Sequence, residues 1–109
     1  MKEQDVHRLR ELTGLMLDHR LAVLRQAAEA KAQTEAALAS LARPMAGKDD
    51  LLGASSALAA LAYERWADAR RVEINQLLAR QTHVWMEARD VAQIAFGKAE
   101  ALRRLQDRL

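Results

Sequence analysis

The sequence predicts an all-α protein: a long antiparallel two-helix coiled-coil hairpin with unequal arms. Three observations carry that expectation. Alanine and leucine fill 40 of the 109 positions while Phe, Trp and Tyr together fill four, a composition poor in sheet-forming residues and rich in helix formers. A single proline, Pro44, separates two long proline-free stretches. Within each stretch, apolar residues recur at alternating spacings of three and four, the pattern of a helix that buries one stripe. The length accommodates one domain. It is read as a single hairpin with helix one at about 4–42, a connector at about 43–56 and helix two at about 57–109.

Helix one is dominated by Ala, Leu, Arg, Glu and Gln, which lose little entropy on becoming helical. Leu17, Leu21, Leu24, Ala28, Leu38 and Ala42 keep a coiled-coil spacing that Lys31 and Glu35 interrupt midway. Beside them runs a second stripe of smaller residues: Val23, Ala27, Ala30, Thr34, Ala37 and Leu41. Towards the start, Val6, Leu9, Leu12 and Met16 drift out of register with Leu17, which predicts a stutter or a less regular first segment. Pro44 disfavours a helical conformation at Arg43 and removes a backbone donor, so helix one is expected to stop there. Gly47 and Asp49–Asp50 mark a turn, and Ser55 or Ser56 is the expected N-cap of helix two.

In helix two the seam reads Ala60, Tyr63, Ala67, Arg70, Ile74, Leu77, Gln81, Val84, Ala88, Val91, Ala95, Lys98, Leu102, Leu105 and Leu109. A companion stripe of Leu78, Trp85, Ala92 and Ala99 widens the face. At about 1.5 Å per residue the second helix outruns the first by some 20 Å. The surplus is expected near the C-terminus, where Leu102, Leu105 and Leu109 would overhang or meet another chain.

Chemistry is sparse. There is no cysteine, hence no disulfide framework and no thiolate chemistry. No phosphate loop, nucleophile triad or glycine-rich turn after a strand is present, so neither catalysis nor a cofactor is expected. His7, His19 and His83 sit far apart in sequence and no carboxylate pair at ligand spacing accompanies them, so no metal site is expected. Arginine outnumbers lysine 13 to 4, but the charges interleave with acids along both helices. That favours contacts to protein carboxylates over nucleic acid, which needs a concentrated basic stripe. The longest charge-free run, Leu51–Tyr63, is 13 residues against the roughly 20 needed to cross a bilayer. No integral membrane segment or leader is therefore expected, and the chain reads as soluble. Trp85 lies on the widened seam and is expected in the core. Trp66, off the seam, is either a cover for helix one near the hairpin tip or an exposed anchor for a partner.

The run Tyr63-Glu64-Arg65-Trp66-Ala67-Asp68-Ala69-Arg70-Arg71-Val72, followed by Leu77, Ala79, Gln81 and His83, resembles the start of the second helix in the FliJ-like family. These are the small stalk and escort proteins of the bacterial flagellar type III export apparatus. The resemblance implies a non-enzymatic hairpin akin to the central shaft of rotary ATPases. It would be cytoplasmic, peripheral to the inner-membrane export apparatus, and in contact with the export ATPase ring, the export gate protein and export chaperones. By matching positions, the ring contact would fall on the two chain ends, Leu9, Leu12 and Met16 with Leu102, Arg103, Arg104 and Leu105. The gate-facing surface would include Val72, Gln76, Ala79 and His83 on helix two with Leu38 and Ala42 on helix one. The competing expectation from the residues alone is a self-associating structural coiled coil, a homodimer forming a four-helix bundle through the alanine-rich faces and a strip of Trp85, Met86 and Phe96.

Overall fold

The computed structural model describes residues 2–41 and 54–109. It contains α1 (Glu3–Leu41) and α2 (Ala54–Asp107), packed against each other along their lengths, with no strand among the described residues. The molecule is a rod of 82 × 21 × 15 Å. Its length matches the roughly 80 Å that the 54 residues of α2 span by themselves. The architecture is an all-α helical hairpin. Residues 43–53 of the expected connector, with Pro44, Gly47 and Asp49–Asp50, and the candidate residue Ala42 lie outside the described residues, while residues 54–56 belong to α2.

Three cross-helix contacts set the antiparallel register. Near the connector, Arg71 donates from Nη2 to the Leu41 carbonyl at 2.9 Å. In the middle, Lys31 Nζ lies 5.5 Å from the centre of the Trp85 ring. At the open end, Arg10 donates to the Gln106 side chain. The first contact also closes a helix end. α1 has no basic residue in its own last turn, and the Arg71 guanidinium from α2 supplies both a donor and a positive charge to the C-terminal carbonyls.

The interhelical seam on α2 is rotated by one residue from the sequence expectation. Ala67, Arg71, Ile74, Leu78, Gln81, Trp85, Ala88, Ala92, Ala95, Ala99, Leu102 and Gln106 are all buried or half-buried. The expected seam positions Arg70, Leu77, Val84, Val91, Lys98 and Leu105 are all exposed. The former companion stripe thus forms half of the core. On α1 the matching series is Val6, Thr13, Leu17, Leu24, Ala27, Lys31, Thr34, Leu38 and Leu41, while Leu21 and Ala28 are exposed. The cause is packing geometry. Two helices approach most closely where one presents alanines, and the register set by Arg10–Gln106 and Lys31–Trp85 brings Leu17 and Leu24 of α1 level with Ala99 and Ala92. Between residues 88 and 99, larger residues on the α2 seam would hold the backbones apart.

Three further expectations are corrected. The first segment carries no stutter: Val6 is 0% exposed and Thr13 and Leu17 continue its heptad spacing, leaving Leu9, Leu12 and Met16 outside. The surplus of α2 lies at the connector end, because the Arg10–Gln106 contact brings the open ends together and Tyr63 and Ala67 already pack on Leu41. Ser55 and Ser56 are inside α2, not ahead of it.

The threonines in and beside the seam are satisfied locally. The hydroxyls of Thr13, Thr34 and Thr82 donate to carbonyls one turn back, at 2.9, 3.1 and 2.7 Å respectively. Lys31 pairs with Glu35 at 3.4 Å and stands on one side of Trp85. Arg89 lies 5.1 Å from the centre of the same ring, so two cations lie within cation–π distance of the indole.

Gly14 and Gly97 interrupt α1 and α2 without structural need: a Cβ at either position meets nothing within 4 Å. Gly14→Ala and Gly97→Ala are each expected to stabilise the hairpin by about 0.5–1 kcal/mol through reduced unfolded-state entropy. Thermal melts should show each midpoint rising by a few degrees, and a fall would show that the glycines are held for close approach.

Candidate interaction surfaces

The residues singled out from sequence fall into three regions. The first is an outward strip of α2. Val72, Gln76, Ala79 and His83 are spaced four, three and four apart, share one face turned away from α1, and are all exposed. Met86 continues the strip. His83 Nε2 lies 3.2 Å from Glu87 one turn on. Leu38 does not join this strip: it is half-buried and packs on the cluster of Leu41, Ala67 and Ile74, where it supports the hairpin near the connector.

Trp66 forms the second region. It is 55% exposed and rests against Tyr63, with ring centres 5.7 Å apart and planes tilted by 43°. Its neighbour Ala67 takes the buried position at 1% exposure. Of the two alternatives for Trp66, the structure places it outside the interhelical core. Trp85, by contrast, is half-buried in the seam, which separates it from Met86 and Phe96, both exposed.

The third region is the open end, where Leu102 is half-buried in the seam and Arg103, Arg104 and Leu105 are exposed. Arg103 is held by two acids on its own helix, Glu100 at 3.0 Å and Asp107 at 3.4 Å. The hydrogen bond from Arg103 lowers the Glu100 carboxyl below the usual glutamate range, aided by the positive charges of Arg103, Arg104 and Arg10. The same bond raises Arg103. Arg104 appears in no ion pair among the described residues, as is true of Arg8 and Arg108 at the same end, and its exposed guanidinium is open to a partner's carboxylate. On α1, Leu9, Leu12 and Met16 are exposed, so this end combines apolar side chains with an uncommitted cation.

A fourth surface follows from the rotated seam. Met16, Arg20, Val91, Ile94 and Lys98 line one shallow groove between the helices. Arg20, Val23, Val84, Glu87 and Val91 line another directly beside it. Sequence reasoning had placed Val84 and Val91 in the core. The available signal was the double apolar stripe on α2, which is wider than one helix can cover. Among the described residues no three potential metal ligands cluster, and no helix is long and apolar enough to cross a membrane.

The fold defines an antiparallel two-helix coiled-coil hairpin whose recognisable features are side chains displayed along a rod. Comparison with family models, curated proteins and solved structures yields no match.

The Glu100–Arg103 pair makes a pH prediction. A carboxyl lowered in the folded state contributes stability that is present above the unfolded glutamate pKa and is lost as pH falls through the lowered folded value. NMR titration should find Glu100 titrating below the reference glutamate value of 4.5. Arg103→Ala should return it towards that value, whereas an unchanged titration would show that the pair does not persist in solution.

Proposed function

We propose that this chain is a non-enzymatic adaptor or stalk of the flagellar, or a related type III, protein export apparatus. In this reading it works in the cytoplasm, peripheral to the inner-membrane export machinery, between the export ATPase ring and the export gate protein, with export chaperones as further partners. The reading rests on the sequence resemblance of residues 63–83 to the FliJ-like family. The observation that supports it most is the shape: an 82 Å hairpin whose open end joins both helices, and whose other end is carried by α2 alone among the described residues.

The mechanism would be mechanical. A two-helix rod resists bending better than one helix, so a load or rotation applied at one end reaches the other. The open end, with Leu9, Leu12, Leu102, Arg104 and Leu105, would seat in the ring and bias its assembly without contributing a group to ATP hydrolysis. The outward strip of Val72, Gln76, Ala79 and His83, with Trp66, would meet the gate.

The test is addition of the purified chain to the purified export ATPase. Turnover or ring assembly should rise. Arg103→Glu with Arg104→Glu should weaken binding about tenfold or more, as reversal of rim charges does at protein interfaces. Absence of binding together with unchanged turnover would contradict the proposal.

A further inference from the structure

The two sides of the rod differ in character. On one side, the α2 positions next to the seam between residues 68 and 103 are Asp68, Asn75, Thr82, Arg89, Phe96 and Arg103. On the other they are Arg70, Leu77, Val84, Val91, Lys98 and, one heptad on, Leu105. α1 adds Leu9, Met16 and Val23 at the equivalent positions of this second side. In an antiparallel pair these two rows border the same groove, and the shared lining by Met16, Val23, Val84 and Val91 shows them doing so. Ile94, 60% exposed, stands on its rim. Apolar residues recurring every seven positions along a groove between two helices form the docking surface that a third helix requires.

The charges on the groove identify the kind of helix. Arg20 and Lys98 line it, and neither enters an ion pair among the described residues. Its one acidic lining residue among the described residues is Glu87, 3.2 Å from His83 Nε2. A second copy docked through the same groove would bring the same two uncommitted cations against a single carboxylate, and so would meet net repulsion. An acidic helix would neutralise both cations while covering the apolar floor.

We propose that this groove binds an amphipathic helix of another protein, apolar on one face and flanked by Asp or Glu, which lies along the rod and completes a three-helix arrangement. The proposal does not depend on the export assignment, because groove and charges are properties of the hairpin itself.

The test uses two synthetic peptides of about 28 residues, the length that spans Leu77 to Leu105 at about 1.5 Å per residue. Both carry leucines at heptad spacing; one has glutamates flanking them and the other lysines. Fluorescence anisotropy of the labelled peptides against the full chain should give micromolar binding of the glutamate peptide and at least about tenfold weaker binding of the lysine peptide. Arg20→Glu combined with Lys98→Glu should reverse that order. Val84→Asp should abolish binding, while Met86→Asp, on the outward face of α2, should leave it unchanged. Circular dichroism establishes that each variant is folded. Equal binding of the two peptides, no binding of either, or binding indifferent to Val84→Asp would overturn the proposal. So would a native dimer in sedimentation that Val84→Asp dissociates, since the groove would then belong to a second copy.

Discussion

Close approach of two backbones along an alanine-lined seam organises this molecule. Ala88, Ala92, Ala95 and Ala99 give α2 a face without bulk, and the register brings the half-buried Leu17 and Leu24 of α1 level with it. Each alanine buries little area, so the energy comes from the length of the contact more than from any single layer. The seam also governs what remains outside. Once α2 turns its alanines inward, Leu77, Val84, Val91 and Leu105 are left exposed on one side of the rod. A rod only two helices thick also leaves much surface exposed. The chain exposes 8391 Å², against about 6,000 Å² for a compact monomer of its mass.

Polar residues within the seam give it specificity that alanines cannot. An alanine face permits sliding, because neighbouring layers look alike. Lys31 beside Trp85, Arg10 beside Gln106 and Arg71 on the Leu41 carbonyl are each available in only one alignment. The middle of the rod carries the cost of this arrangement. Gln81 Oε1 and Arg89 Nε are buried without a hydrogen-bond partner among the described residues, a local destabilisation in exchange for a defined register.

Helix type, antiparallel pairing and the inequality of the arms were legible in the sequence, because they follow from composition, Pro44 and apolar periodicity. The face was harder to read. On α2 the two stripes share Ala67, Ile74, Gln81, Ala88, Ala95 and Leu102 and differ only in whether the alternate row is Leu77, Val84 and Val91 or Leu78, Trp85 and Ala92. Ranking rows by hydrophobicity favours the first; close packing favours the second, and packing decides. The same error displaced the surplus of α2, since only the partner's register determines which end extends. Among candidate surface residues, the spacing of Val72, Gln76, Ala79 and His83 was enough to place them on one strip. That Arg103 is already engaged by Glu100 and Asp107, and that Arg20 and Lys98 are not engaged, depends on side-chain conformations that periodicity does not encode.

Adjacent residues provide the most direct test of the seam. Val91 is 39% exposed and Ala92 is 4% exposed, one residue apart on a uniform helix. Thermal unfolding of Val91→Asp and Ala92→Asp, each in the otherwise native chain, distinguishes the two rotations of α2. The account predicts that Val91→Asp melts cooperatively within a few degrees of the native protein, although it removes the larger apolar side chain. Ala92→Asp should lose the cooperative transition, because it forces a carboxylate between two closely packed backbones. A stable Ala92→Asp protein and an unfolded Val91→Asp protein would contradict the account and return Val84 and Val91 to the core.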